Sequence, residues 1–393
     1  MSQHYDVAAV RREFPVVERM LYLDSAHQTP LATSVKDALV RFYSEGNEFA
    51  GPKPLWLRRT EEVRERVARF FNAAPAEIAF TKNTSEGMNI AANALPLESG
   101  DNVLLVEGDH PNNAYAFLNL QRKGVEVRFV PITGETVDAS TFEDRIDART
   151  RAISLSHVTF HAGHLFDVEG IGRLCAERQL YFVVDAMQST GVVPLDARAV
   201  GATIIGSGCH KGLLVPQGLG IVFCKAGHDE LRPAYMALSS LADPPADYIA
   251  RHDNMALRDG AGRFEIGNFN LPDIHALSAS LDLIESVGVA NIQAHAYDLG
   301  DRLIERMDEQ KIRLVGPRSR QARSPHIYVL DLPGDGWTEY FASQQVRVSP
   351  ERDGIRVSFG LFNTAEDVDR FADIVRRRGN PASRPAAMAA NVD

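Results

Sequence analysis

The sequence predicts an α/β protein: a large domain on a mostly parallel sheet, followed by a smaller α+β domain. Three observations predict this class. Short apolar runs alternate with helical segments over roughly residues 75–225, the signature of strands joined by crossover helices. Leu180 to Val184 is apolar without polar alternation, so both faces of that strand are covered, as in a parallel sheet. Beyond about residue 290 the pattern becomes a long helix, further strands and a closing helix.

Taken in order, residues 1–20 read as a short helical arm in which Phe14, Pro15 and Val17 can pack. Leu21-Tyr22-Leu23 reads as a strand running into the loop Asp24 to Pro30, and helical periodicity then extends to about Tyr43. Gly51-Pro52-Lys53-Pro54 breaks the chain before an amphipathic helix, Leu55 to Phe71. Ile78 to Thr81 is a short strand ending in Lys82-Asn83-Thr84-Ser85-Glu86-Gly87, and Met88 to Leu95 continues as helix. Strand, hydroxyl-rich loop and helix make a phosphate cup, because amides at the helix start and the Thr84 and Ser85 hydroxyls can donate to an anion. The plainer alternative is an ordinary Ser/Thr helix cap.

Asn102 to Val106 is a buried-type strand leading into Glu107 to Asn113, with helix resuming at Ala114. It carries His110 at a strand end, where an imidazole either lies against an aromatic cofactor or is simply a hydrogen-bonded polar residue. Val125 to Pro131 and Ala152 to Val158 are further strands, with a short helical stretch, Phe142 to Ile146, between them. Phe166 to Gln179 is the crossover helix into the apolar strand that ends at Asp185. In open α/β sheets ligands bind at such carboxyl ends.

Ala202 to Ser207 is the next strand, and it delivers Lys211 into an apolar, glycine-flanked turn, Gly208 to Leu214. An acid at one strand end and a lysine just past another point to a pyridoxal phosphate site, with the lysine holding the cofactor as a Schiff base and the acid keeping its pyridine nitrogen protonated. The alternative is a capping acid and a surface lysine. Gly218 to Cys224 is a strand after a glycine turn, and residues 240–265 read as loop. Asp273 to Val287 and Ala294 to Gln310 are helices, His326 to Leu332, Val346 to Ser349 and Ile355 to Phe359 are strands, and Thr364 to Arg378 is the last helix.

With 393 residues, 45% hydrophobic and 24% charged, the chain can bury a large core. The expected division is a large domain over residues 16–270, a small domain over 271–378 joined by an arm, 1–15, and a disordered Pro/Ala/Ser-rich tail, 379–393. A net charge of -10 argues against a nucleic-acid partner. Three cysteines without a CxxC pair disfavour a disulfide framework or a metal site and fit a cytoplasmic protein. The amino terminus has no signal pattern, and no apolar run approaches the ~18 residues of a membrane span.

Seven motifs, in this order, resemble the class V aminotransferase superfamily of fold-type I pyridoxal phosphate enzymes. They are Tyr22-Leu23-Asp24-Ser25-Ala26, Thr81 to Asn89, Asp109-His110, Ser156-His157-Val158, Val184 to Ser189, Ser207 to Lys211 and Arg356-Val357-Ser358-Phe359. The resemblance spans about residues 20–378 and implies a seven-stranded, mostly parallel sheet in the large domain. It implies that Lys211 is the Schiff-base lysine, Asp185 the partner of the pyridine nitrogen, and Gln188 a neighbour of the phenolic oxygen. His110 would stack on the ring, and Thr84, Ser85, Ser207 and His210 would hold the phosphate. Arg356 would clamp the substrate carboxylate. Asn268, in the loop Gly267 to Asn270, would reach the phosphate of a neighbouring subunit, which implies a homodimer.

Departures refine the expectation. The desulfurase branch carries a cysteine in the loop before the final arginine, but Ser349 to Gly354 contains no thiol. The isopenicillin N epimerase-like group is the nearer branch, although it usually has a tryptophan where this chain has Gly212. Phe160 stands where desulfurases place an asparagine. His27 and His161 would lie near the pocket, with His27 a candidate substrate contact. The resemblance implies proton removal from the α-carbon of an amino acid, with Lys211 as base. The favoured outcomes are β-elimination of the C–S lyase type or epimerisation; transamination is the alternative, and a non-catalytic binder is the alternative of another class.

Overall fold

In a computed structural model of the chain, residues 5–379 are described. The large unit is a seven-stranded sheet in the order β2-β8-β7-β6-β5-β3-β4. Its strands are β2 (Ile78–Thr81), β3 (Asn102–Val106), β4 (Glu126–Val130), β5 (Thr150–Ser156), β6 (Tyr181–Asp185), β7 (Ile204–Gly208) and β8 (Gly220–Cys224). Only β8 runs against its neighbours; the other pairings are parallel. Burial explains the apolar runs, since every residue of β2, β3, β7 and β8 is buried. Phe182 and Val184 pack into one layer of the core while Val183 packs into the other.

The smaller unit is an antiparallel sheet in the order β12-β13-β10-β9, comprising β9 (Arg313–Val315), β10 (Ile327–Asp331), β12 (Ser349–Glu351) and β13 (Gly354–Ser358). The strand expected over Val346 to Ser349 is split. Its first half, β11 (Val346–Arg347), pairs in parallel with β1 (Leu21–Tyr22), and its second half joins β13. Strand β9 and the helix Trp337–Ser343 are additions to the sequence reading. The polar, exposed face of each masks its periodicity over so few residues.

Two packings cross the expected domain boundaries. Leu21 and Leu23 belong to the smaller core, although they fall within residues 16–270. The helix Leu271–Val287 packs Ile274, Leu277, Leu281 and Ile284 into the large core, although it follows residue 270. The arm is a short helix, Val7–Arg12, whose Arg11 forms a two-pronged ion pair with Asp367. The last helix, Ala365–Gly379, takes in Gly379, and the rest of the expected disordered tail lies outside the described residues. Among the described residues no helix is long and apolar enough to cross a membrane.

Candidate active site

The carboxyl ends of β2, β3, β5, β6 and β7 share one edge of the sheet, and a cavity of about 450 Å³ opens there. Each strand delivers a polar group. Thr84 and Ser85 follow β2, His110 follows β3, Ser156 ends β5, Asp185 ends β6, and His210 and Lys211 follow β7; all of them line the cavity with Gln188.

The floor is charged. One Asp185 oxygen accepts the Met187 amide at 2.9 Å, and burial pushes this carboxyl up to about 7, opposed in part by that amide and by Lys211. A buried carboxylate held by a single amide is stabilised by a cationic N–H donor. Lys211 is partly open to the cavity but otherwise enclosed. Burial first, and the Arg356 charge second, lower its amine to about 8, while Asp185, Asp24 and Glu351 pull it back. Such an amine is still mostly protonated at pH 7, but about a tenth of it is neutral, several hundred times the share of a free lysine, and that share serves a nucleophile or base.

The lysine turn is held by backbone contact. A Cβ at Gly212 would lie 2.1 Å from the Thr190 carbonyl oxygen, and one at Gly191, where φ is +85°, would lie 2.4 Å from the Gly212 carbonyl oxygen. The turns after β6 and β7 therefore touch where only glycine fits. This accounts for Gly212 immediately after the lysine. The buried Leu214, at φ 57°, closes the same turn with its amide on the Lys211 carbonyl at 3.0 Å.

Anion-binding groups form one wall. The helix Thr84–Ala94 starts inside the hydroxyl-rich loop, four residues before its expected start. Asn83 accepts the Glu86 amide on its side chain and the Gly87 amide on its carbonyl, which leaves the Thr84 and Ser85 amides at the cavity wall for an anion. Thr84 Oγ1 donates to Met187 Sδ at 2.8 Å, and Ser85 Oγ accepts from Asn112 at 2.7 Å, keeping its own proton to donate. Ser207 departs from its expected phosphate role: it lies within β7, outside the cavity wall, and its hydroxyl donates to the Gly208 carbonyl at 3.1 Å.

His110 is half-buried and stands edge-on to Phe160, with ring centroids 5.0 Å apart. Its Nδ1 accepts the Asn112 amide at 3.2 Å, which places the ring proton on Nε2. Burial, with the nearby charges of Lys211 and Arg356, pushes it down to about 4, so the ring is neutral. Burial and Lys211 likewise push His210 down to about 4. Asp109, unassigned by the sequence reading, orients His110. It accepts the His110 amide at 2.7 Å and both the hydroxyl and the amide of Ser156, at 2.6 and 2.7 Å. The adjacent pair Asp109-His110 was the available signal.

Arg356 is buried next to this cavity rather than in its wall. Its NH1 donates to the Phe160 carbonyl at 2.9 Å and pairs with Glu351 at 2.7 Å, and its NH2 lies 3.7 Å from Asp24. Its Nε is buried without a hydrogen-bond partner. Glu351 escaped the sequence reading, because it lies on another strand and only the β12–β13 pairing brings it to Arg356. His161 stands behind it, with Nδ1 3.5 Å from Glu351 and Nε2 2.7 Å from Asp353. His27 is exposed and outside the cavity wall. Asn268 is exposed in a separate recess of about 310 Å³, which shares Lys82 and Gly218 with the main cavity.

These residues fit pyridoxal phosphate on their own chemistry. A buried carboxylate needs a cation, an amine has a lowered proton affinity, a neutral imidazole lines the wall, and two helix-start amides with the Ser85 hydroxyl suit a phosphate. Comparison with known proteins agrees. Residues 21–332 match the family model described as Aminotransferase class-V. An uncharacterized aminotransferase of Schizosaccharomyces pombe is 31% identical, over 94% of this chain and 96% of its own. A probable cysteine desulfurase of Methanothermobacter thermautotrophicus is 35% identical, over 75% and 74%. Among solved structures, a cysteine desulfurase from Thermococcus onnurineus has a TM-score of 0.88 at 23% identity, covering 96% of this chain and 99% of that one. The cystine C-S lyase C-DES, in complex with cysteine persulfide, has a TM-score of 0.83 at 22% identity, covering 92% and 98%. Sheet, cavity chemistry and sequence together place this chain in the class V aminotransferase family, as a pyridoxal phosphate-dependent enzyme.

Proposed function

We propose that the enzyme removes the α-proton of an amino acid and expels a leaving group from the β-carbon, as a C–S lyase does. The observation that carries this reading is Lys211, a partly open amine lowered to about 8 beside the buried Asp185. When bound, the cofactor supplies an electron sink for the α-carbon. Asp185 would keep the pyridine nitrogen protonated, the Thr84 and Ser85 amides and the Ser85 hydroxyl, with His210, would hold the phosphate, and His110 would pack against the ring. Lys211 would anchor the cofactor and, as a free amine, serve as the base that takes the α-proton and passes it to the departing group, or back to the α-carbon when that group stays bound. Arg356 receives the substrate carboxylate on its Nε–NH2 edge, because NH1 is committed to Glu351 and Phe160.

Several relatives are named cysteine desulfurases, and a persulfide carried on the enzyme requires an enzyme thiol. None of the three cysteines here lines the cavity, and all are buried. Burial raises their thiols, Cys175 and Cys224 to about 12, which removes the nucleophilic thiolate. Elimination needs no such thiol. Epimerisation and transamination share the first proton transfer, and the product separates the three. Incubation with amino acids and cysteine S-conjugates should give pyruvate and ammonia. A pyridoxamine form of the cofactor would mean transamination, and racemisation with solvent deuterium would mean epimerisation.

The active assembly in this reading is a cytoplasmic homodimer. Tyr235, Met236, Tyr248, Ile249, Met255 and Ile266 are exposed in the segment that ends at Asn268, an apolar surface suited to burial against a second copy. A fully active monomer in equilibrium sedimentation would refute the dimer.

A further inference from the structure

Lys211 and Gln188 line a second cavity as well as the main one, so the two share a wall. This second cavity measures about 20 Å³. A hole needs ~10–15 Å³ to admit one water, so this one takes a single molecule of that size. Most of its surface is apolar, including Val192, Leu214, Ile292 and Ala296. Three of its lining residues nevertheless carry a buried polar atom with no hydrogen-bond partner in the protein: Ser25 Oγ, Gln188 Oε1 and His326 Nδ1. Each such atom costs about 1–3 kcal/mol if left unsatisfied. Three such atoms on residues that line one water-sized hole point to a ligand that completes their bonds.

The three atoms select the ligand. Gln188 Nε2 donates to the Ala26 carbonyl at 3.0 Å, which fixes the amide and leaves Oε1 as an acceptor. That acceptor repels an anion, and Lys211 repels a cation. Burial, with the charges of Lys211 and Arg356, pushes His326 down to about 3, so its ring is neutral. A neutral molecule with two donors and two acceptors matches this set.

We propose that the cavity binds one ordered water, held by Ser25, Gln188 and His326 against Lys211, through which the lysine's hydrogens exchange with solvent. In each exchange an N–H hydrogen passes to the water as a water hydrogen returns to nitrogen, so charge and atoms balance. The exchange role rests on the reading of Lys211 as the base; the water site does not.

A high-resolution crystal structure of the apoenzyme tests the site. A solvent peak within about 2.7–3.2 Å of all three atoms is expected. A dry cavity, with those atoms bonded to protein groups instead, would overturn the site and leave the proposed function standing. Absence of turnover with every amino acid would do the reverse. Ala296→Val fills the cavity, and Ser25→Ala deletes one partner without adding volume, should the first variant fail to fold. Either should lose the solvent peak. Either should also lower solvent deuterium wash-in at the substrate α-carbon at least threefold relative to internal return, with the visible band of the bound cofactor unchanged. Unaltered wash-in in a variant that has lost the peak would overturn the exchange role.

Discussion

Replacing Lys211 with methionine, a side chain of similar length and no charge, should stabilise the apoprotein at neutral pH while abolishing turnover. The structure lowers this amine from 10.5 to about 8. That difference corresponds to a penalty on the folded ammonium form of about 3 kcal/mol. The figure is an upper bound, since solvent in the open cavity screens the charge and Asp185 loses an opposite charge in the variant. The sign follows from the lowered value. Below pH 8 folded and unfolded chains both carry the proton, and the wild type bears the whole penalty. Between pH 8 and 10.5 the folded chain releases the proton while the unfolded chain keeps it, so wild-type stability rises relative to the variant. Urea unfolding of both apoproteins, at one protein concentration and at pH 7 and pH 10, measures the difference. The variant should lead by about 1–3 kcal/mol at pH 7 and lose most of that lead at pH 10. A variant no more stable at pH 7, or equally ahead at both, would refute a strained buried ammonium at this position.

Three further outcomes follow from the site. Asp185→Asn should retain the cofactor but slow α-proton removal at least tenfold, because a neutral pyridine is a poorer electron sink; an unchanged rate of α-deuterium exchange would make Asp185 purely structural. Arg356→Lys should raise the amino-acid KM by at least an order of magnitude, roughly 1.4 kcal/mol, because an ammonium cannot present the two-pronged Nε–NH2 edge; equal turnover of amines lacking a carboxylate would contradict the clamp. Glu351→Gln should remove the charge that holds NH1 of Arg356, leaving only neutral acceptors there, and raise KM about three- to tenfold with little change in kcat, a split that steady-state kinetics reads directly.

The sequence by itself determined the sheet and the charged floor of the site. Continuous apolar runs set β3, β6 and β8 because both faces of each are buried, and that covering is recorded in residue type. Asp185 and Lys211 were legible because each follows such a strand within a few residues, so local order already places them at one sheet edge. Tertiary structure decided what depends on long-range pairing. The partition of Leu21 and Leu23 into the smaller core rests on β1 meeting β11, more than three hundred residues away in the chain. Two further points are local in sequence, yet residue type alone did not show them: Ser207 spends its hydroxyl on the neighbouring Gly208 carbonyl within β7, and Glu351 meets Arg356 across the β12–β13 hairpin. The water-sized cavity gathers Ser25, Gln188 and His326 from three separate segments. Local pattern encodes burial and strand ends, because these act on neighbouring residues. Which distant polar groups share a pocket follows from how the elements pack, and no single stretch of sequence carries that information.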